Sequence, residues 1–376
     1  MLKSVVFLWV ATVLAAGCRS TPTSASQTVR RSEIKQVMCR VGKWMLAHRQ
    51  ETPGGQRRDT DWTVGAWYAG EYALYDLTRD PFFLAPLLAM EKTTGWRVGP
   101  SPLFADDQCI AQTYLDLYLN VSPDPSLIAH VRGVCDAMIA YPSDQPMTNH
   151  MSVCFKGEWS WCDSLFMGPA VWSKLSLATG DNKYLAFMDK KWQKTRDFLY
   201  DADEHLYFRD ASYFTKKEAN GKKVFWSRGN GWVLAGLARV LETLPSDFPS
   251  RPRYERQFKE MAGKIVACQQ PDGLWHASLL DPASFPLPET SGSGFYCYAL
   301  AWGINNGLLD RAAYEPAVWK AWSALAGCVT EDGKLTHVQP IGADPKAFNP
   351  DSTEVYGVGA FLLAGREVYR LRGKQP

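Results

Sequence analysis

The stretch Asp61-WTVGAWYAGEYALYDLTRD, residues 61–80, decides the fold. It opens on an acid, runs through small and aromatic residues, and carries apolar side chains on most sides of a helix. A helix of that kind is buried on more than one face. Five further segments repeat the pattern: Asp106-DQCIAQTYLDLYLN, Asp163-SLFMGPAVWSKLSLATGD, Gly229-NGWVLAGLARVLETLP, Gly292-SGFYCYALAWGINNGLLD and Tyr356-GVGAFLLAGREVYRL. Their starts lie about 45 to 65 residues apart. Between them lie amphipathic stripes. Residues 251–270 place Tyr254, Phe258, Met261 and Ile265 on one face with charges opposite, and Glu33–His48, Ser126–Ala140 and Lys183–Leu199 behave alike. Segments alternating in period two are sparse. Six buried helices alternating with amphipathic ones imply six helical hairpins. The expected architecture is all-α, an (α/α)6 barrel with inner and outer helix rings; a less regular α-solenoid is the structural alternative.

Composition supports a large folded core. Of 376 residues, 46% are hydrophobic and 21% charged, which excludes a disordered chain. Lys plus Arg is 41 against 39 Asp plus Glu, so no concentrated basic character points to nucleic acid. The 15 Trp, 16 Tyr and 17 Phe fill a core or, in part, line a sugar cleft where flat rings stack on pyranose faces.

Residues 1–17 read as a signal peptide: Lys3 precedes a short apolar run that ends Leu14-Ala15-Ala16-Gly17-Cys18. The small residues before Cys18 resemble a bacterial lipobox, so Cys18 is the expected acylation site, which anchors an exported protein to a membrane. Residues 18–29 then form a Ser/Thr-rich tether, and 30–376 form a single catalytic domain. Eight other cysteines follow, with no C-x-x-C pair and no His at metal-ligand spacing, so no zinc site is expected. Cys154 and Cys162 are close enough in sequence to bridge a short loop.

In such a barrel the loops entering the inner helices gather at one mouth, and here those loops are chemically dense. They hold Asp61 and Trp62, then Asp106 and Asp107, then Trp159, Trp161 and Asp163, then Trp226, Arg228 and Trp232, then Glu289. Asp, Ser and Thr cap helix N-termini, which accounts for some of these acids. Capping does not account for an acid beside indoles. An apolar pocket disfavours the charged carboxylate, so the acid holds its proton near neutral pH. An Arg among indoles stacks and still grips a carboxylate. Acid, platform and clamp point to an acidic saccharide. Paired carboxylates, Asp163 with Asp106 or Asp107, suit glycoside chemistry.

The segments Trp161-Cys162-Asp163-Ser164-Leu165-Phe166-Met167, Trp226-Ser227-Arg228-Gly229-Asn230-Gly231-Trp232 and Glu289-Thr290-Ser291-Gly292-Ser293-Gly294 resemble the signatures of glycoside hydrolase families 88 and 105. They are closer to family 105, the unsaturated rhamnogalacturonyl hydrolases. The resemblance implies an (α/α)6 barrel that removes a 4,5-unsaturated uronic acid from the non-reducing end of oligosaccharides made by polysaccharide lyases. It implies Asp163 as the proton donor to C4, Asp106 as the second aspartate with Asp107 its competitor, and Trp226, Arg228 and Trp232 as holders of the uronate. It also implies that no metal or organic cofactor is needed. The family pattern L-Y-x-H-x-x-D is altered: Leu206-Tyr207-Phe208-Arg209 places Arg209 where His is expected, with Tyr213 nearby. Such an Arg suits a bulkier or sulfated acidic glycan, or elimination of water from a saturated uronate, an oligosaccharide dehydratase. A non-catalytic glycan-binding lipoprotein is the third expectation.

Overall fold

The computed structural model describes residues 29–373; the acylation site expected at Cys18 lies outside them. The helices, in chain order, are α1 Arg31–His48, α2 Trp62–Thr78, α3 Pro81–Thr94, α4 Ala105–Gln108, α5 Ala111–Asn120, α6 Ser126–Ala140, α7 His150–Val153, α8 Ser164–Met167, α9 Pro169–Thr179, α10 Lys183–Leu199, α11 Ser227–Thr243, α12 Arg251–Ala267, α13 Thr290–Asn305, α14 Arg311–Gly327 and α15 Val355–Gly373.

Helices α2, α5, α9, α11, α13 and α15 each pack on the next, and α15 returns to α2, so the inner ring closes. All residues of α13 are buried, as expected for a helix with neighbours on every side. The outer helices cover the seams: α1 packs on α2 and α15, α10 on α9, α12 on α11, and α14 on α13 and α15. Helix α10 shows the outer pattern, burying Tyr184, Leu185, Met188, Lys191, Trp192, Thr195 and Leu199 along one stripe. This is the (α/α)6 barrel read from the sequence. Two outer helices, α3 and α14, carry no clear polar face and are not anticipated by the stripes. Each holds an internal proline, Pro86 or Pro316, and α3 leaves Phe82 and Leu88 exposed.

Closure depends on close backbone approach. A Cβ on Gly70 of α2 would strike the carbonyl oxygen of Gly359 on α15, and a Cβ on Gly359 would strike that of Ala66. Only the absence of side chains at both positions lets the last helix seat on the first.

The far end of the ring holds a cluster of charged side chains beside a cavity of about 410 Å³. Asp116 of α5 is held between Lys174 of α9 and Arg239 of α11, the latter at 3.2 Å, and all three are buried. Strands are short. β1 (Tyr200–Asp201) pairs with β2 (Leu206–Tyr207), and β3 (Trp275–His276) with β4 (Pro288–Glu289), both antiparallel. All eight cysteines among the described residues are free thiols, Cys154 and Cys162 included, so that bridge does not form. Cys154 Sγ instead points to the Met151 carbonyl and Cys162 Sγ to Asp163.

Glu71 on α2 is wholly buried, and neither carboxyl oxygen has a partner. Burial alone pushes its pKa up from 4.5 to about 8. The unfolded chain ionises at the ordinary value while the folded chain keeps the proton to about pH 8. Stability is therefore expected to fall as pH rises through that window, by up to about 1.4 kcal/mol per unit from this group. Melting temperature measured against pH checks it, and Glu71→Gln should flatten the slope.

Candidate active site

The two candidate acids stand one turn ahead of the main inner helices. Pro169, at the first position of α9, interrupts the third inner segment and leaves α8 as a separate turn with Asp163 at its start. Asp106 lies in the equivalent turn α4, ahead of α5. The segments read as continuous helices are thus broken where the acids sit. Two rings tie these turns together: Phe104, two residues before Asp106, stacks on Trp161, two residues before Asp163, at 5.1 Å and 26°.

A strap from the β1–β2 ladder supplies the neighbouring cation. Asn230 accepts from the Tyr207 backbone N–H at 2.7 Å and donates to the Tyr207 carbonyl at 3.1 Å. Cys162 then donates its backbone N–H to the Arg209 carbonyl at 2.8 Å. Gly229 permits this packing, since a Cβ there would lie 3.1 Å from Cys162 Sγ and 3.0 Å from the Trp226 ring. Arg209 Nε consequently lies 3.9 Å from Asp163 Oδ2, and Arg209 Nη1 donates to Asp210 at 2.7 Å. Asp210 also caps the turn Ala211–Tyr213 by accepting from Ser212 N–H at 2.8 Å.

Electrostatics follow from this placement. Asp163 is 8% exposed, and Cys162 Sγ donates to its Oδ2 at 3.4 Å. Burial raises the Asp163 pKa, while Arg209, then the Cys162 thiol, then Arg228 pull it down. At Asp106 one carboxyl oxygen is buried without a partner; burial, then the Asp163 charge, push its pKa well above the usual range, and Arg209 offsets only part of this. The Asp163 charge thus favours the neutral form of Asp106.

The remaining expected residues divide. Asp107 leaves the catalytic set, because Arg58 binds one of its oxygens at 2.8 Å and the Ser101 backbone N–H donates to the other at 2.8 Å. Trp232 is 0% exposed and is enclosed by Phe166 and Phe295, so it belongs to the core and cannot meet a uronate. Trp226 is likewise buried; its indole donates to Gln339 Oε1 at 2.9 Å, and the Arg228 guanidinium lies 4.5 Å over its ring. Arg228 donates to the carbonyls of Gln339 and Pro340 at 2.7 and 2.9 Å and lies 3.9 Å from Glu289. It pins the loop before α15 instead of offering a free clamp. Glu289 in turn caps α13 by accepting from Ser291 and Gly292 N–H. Asp61 caps α2 through Thr63 N–H at 3.0 Å and pairs with Arg57 at 3.2 Å. Trp62 is the partly exposed indole, edge-on to Trp232 and tilted on Tyr356. Trp161 is buried beneath Phe104 and His150. Tyr213 is buried under Lys216, 3.7 Å above its ring.

His150, which the sequence offers as one candidate base for the dehydratase reading beside Tyr213 or an Asp, joins the site. It lies against Trp161 at 4.9 Å, with Nδ1 3.1 Å from Ser160 Oγ, and burial followed by Arg209 lowers its pKa to about 4, so it is neutral. His150, Arg209, Asp210, Ser212 and Tyr213 line a cavity of about 650 Å³. No spacing along the chain links residue 150 to residue 209; only the strap brings them together. Among the described residues, no cluster of His, Cys, Asp or Glu is placed to hold a metal ion.

Two acids at the mouth of an (α/α)6 barrel suit a glycoside hydrolase, and comparison with known proteins shows that class. The chain belongs to Glycosyl Hydrolase Family 88, whose pattern matches residues 37–372. It is 41% identical to an unsaturated 3S-rhamnoglycuronyl hydrolase of Formosa agariphila, with 96% of each chain covered. It is 36% identical to a protein of the same name from Alteromonas sp. strain LOR, covering 82% of this chain and 77% of that one. A solved structure described as a polysaccharide lyase superimposes with a TM-score of 0.82 at 35% identity, covering 92% of this chain and 99% of the other.

The Cys162 thiol is a neutral donor to Asp163, and its loss should raise the Asp163 pKa. Cys162→Ala is expected to move the alkaline limb of the kcat/KM profile to higher pH. Cys162→Ser, which keeps a donor, should stay near the parent; a pH–rate series on the three proteins checks this.

Proposed function

We propose that this hydrolase removes a 4,5-unsaturated uronic acid from the non-reducing end of acidic oligosaccharides released by a polysaccharide lyase. The leaving sugar is a rhamnose carrying a sulfate ester, as the names of its two relatives suggest for their own substrates. The observation that carries the reading is Asp163, a buried acid with raised pKa, paired with Asp106 and facing Arg209.

On this reading Asp163 delivers its proton to C4 of the enol ether. The C4=C5 π electrons form the new C–H bond, and positive charge at C5 is shared with the ring oxygen. Water adds at C5 as its proton passes to the Asp163 carboxylate, which restores the acid. The resulting hemiketal opens and releases the leaving sugar. Asp106, its pKa pushed up by burial and by the Asp163 charge, favours its neutral form and so limits negative charge beside the site. A uronate carboxylate brought against Arg209 cancels part of that cation's pull, so substrate binding lifts the Asp163 pKa further. Trp62 is the accessible indole for the sugar face. One acid thus serves as donor and then as base.

The conjugated C4=C5 bond absorbs in the ultraviolet. Incubation with unsaturated oligosaccharide should bleach that absorbance and release a shortened sugar. Asp163→Asn should lower kcat on the order of 10³-fold while affinity is retained. The competing reading is the dehydratase, elimination of water from a saturated terminal uronate, for which Arg209 in place of the expected His is the motive. A gain of absorbance on saturated oligosaccharide would establish that chemistry and overturn the hydrolase.

The tether reading extends the proposal to location: cleavage before Cys18 and acylation of that residue would hold the domain at a bacterial membrane. Radiolabelled fatty acid should enter the wild-type chain and not Cys18→Ser, with the variant recovered in the soluble fraction.

A further inference from the structure

Exposed large apolar side chains are mostly scattered over the described surface, but three crowd one side of the mouth. Leu103 (38% exposed), Met151 (67%) and Phe155 (48%) fall in the two loops that flank the acids. Gly157, at φ 87°, turns the second loop back so that it lies beside Leu103. The Phe155 ring packs on Phe104 at 4.5 Å and 34°, and Phe104 stacks on Trp161 at 5.1 Å and 26°. A continuous series of rings therefore runs from the floor beside Asp163 to solvent. Met151 joins the rim to the cavity that ends at Arg209.

An enzyme that removes a terminal sugar must let the rest of the chain leave the mouth. Exposed apolar surface beside a polar cleft marks a binding site, and the C–H face of a pyranose is a fitting partner for a phenyl ring. Phe155 stands two ring spacings out from Trp161, on the solvent side of the stack. We propose that Phe155, with Met151 and Leu103, forms a stacking platform for the leaving saccharide, the pyranose units on the reducing side of the unsaturated uronate. The outward direction of the chain rests on the hydrolase reading; the platform itself rests on the ring geometry.

The test compares an unsaturated disaccharide with the corresponding tetrasaccharide. For Phe155→Ala the ratio of kcat/KM, tetrasaccharide over disaccharide, should fall about 3- to 10-fold, mostly through KM, as expected for loss of one stacking contact. Phe155→Trp should restore the ratio. A second arm removes turnover: calorimetric titration of tetrasaccharide into Asp163→Asn should show binding weakened by a similar factor when Phe155→Ala is added. Phe155 is half-exposed, and unchanged melting temperatures would show both variants folded. An unchanged ratio together with unchanged binding overturns the platform. Phe155-dependent binding without hydrolysis by the wild-type enzyme overturns the hydrolase reading and leaves the platform standing.

Discussion

Everything at the mouth depends on closure of the inner ring. Six buried helices can close only if the last packs directly on the first, and here two glycines meet, Gly70 and Gly359, with no room for a side chain between the backbones. Closure sets every inner helix with its N-terminus toward the same end. Loops far apart in the chain, from Asp61 to the segment before Val355, then share one rim. The opposite end carries the ion cluster Asp116, Lys174 and Arg239, which lines a separate cavity of about 410 Å³.

Within that rim, the site is built by compromise between burial and charge. Burial alone would raise both acids, and the Arg209 strap tempers both to different extents. Asn230 fixes the backbone of Tyr207, the Arg209 carbonyl fixes Cys162, and the Arg209 side chain faces Asp163. Asp106 feels Arg209 as well, but the Asp163 charge raises it and no Cys162 thiol donates to it, so the two carboxyls are made unequal by environment. Several aromatic and charged residues serve as scaffold for this arrangement. Trp232 packs the core beneath it, and Arg228 holds the 339–340 loop through two carbonyls. The W-x-R-G-N-G-W segment therefore works mainly by shaping the site: its glycine admits the Cys162 thiol, its asparagine holds the strap, and its arginine locks a loop.

The fold was legible because burial leaves a periodic trace. Inner helices read as apolar on most sides and four outer ones as single stripes, with boundaries close to those observed. Helices α3 and α14 escaped because their sequences carry little polar contrast and an internal proline. Asp163 and Asp106 were legible as acids in aromatic company at loop positions. Asp107 and Trp232 were not separable from them, since a neighbour in sequence or a shared motif does not reveal which side chain is engaged by Arg58 or enclosed by Phe166 and Phe295.

The sequence by itself determined the number of hairpins, the mouth-facing loops and the acidic, aromatic character of the site, because these follow from residue type and spacing. Tertiary structure alone decided which groups touch. His150 joins Arg209 in one cavity across a wide gap in the chain, Cys162 turns its thiol to Asp163 instead of to Cys154, and Phe155 continues a stack begun at Trp161. Each of these pairings is set by the path of a strap or loop across the ring, and no local periodicity records that path.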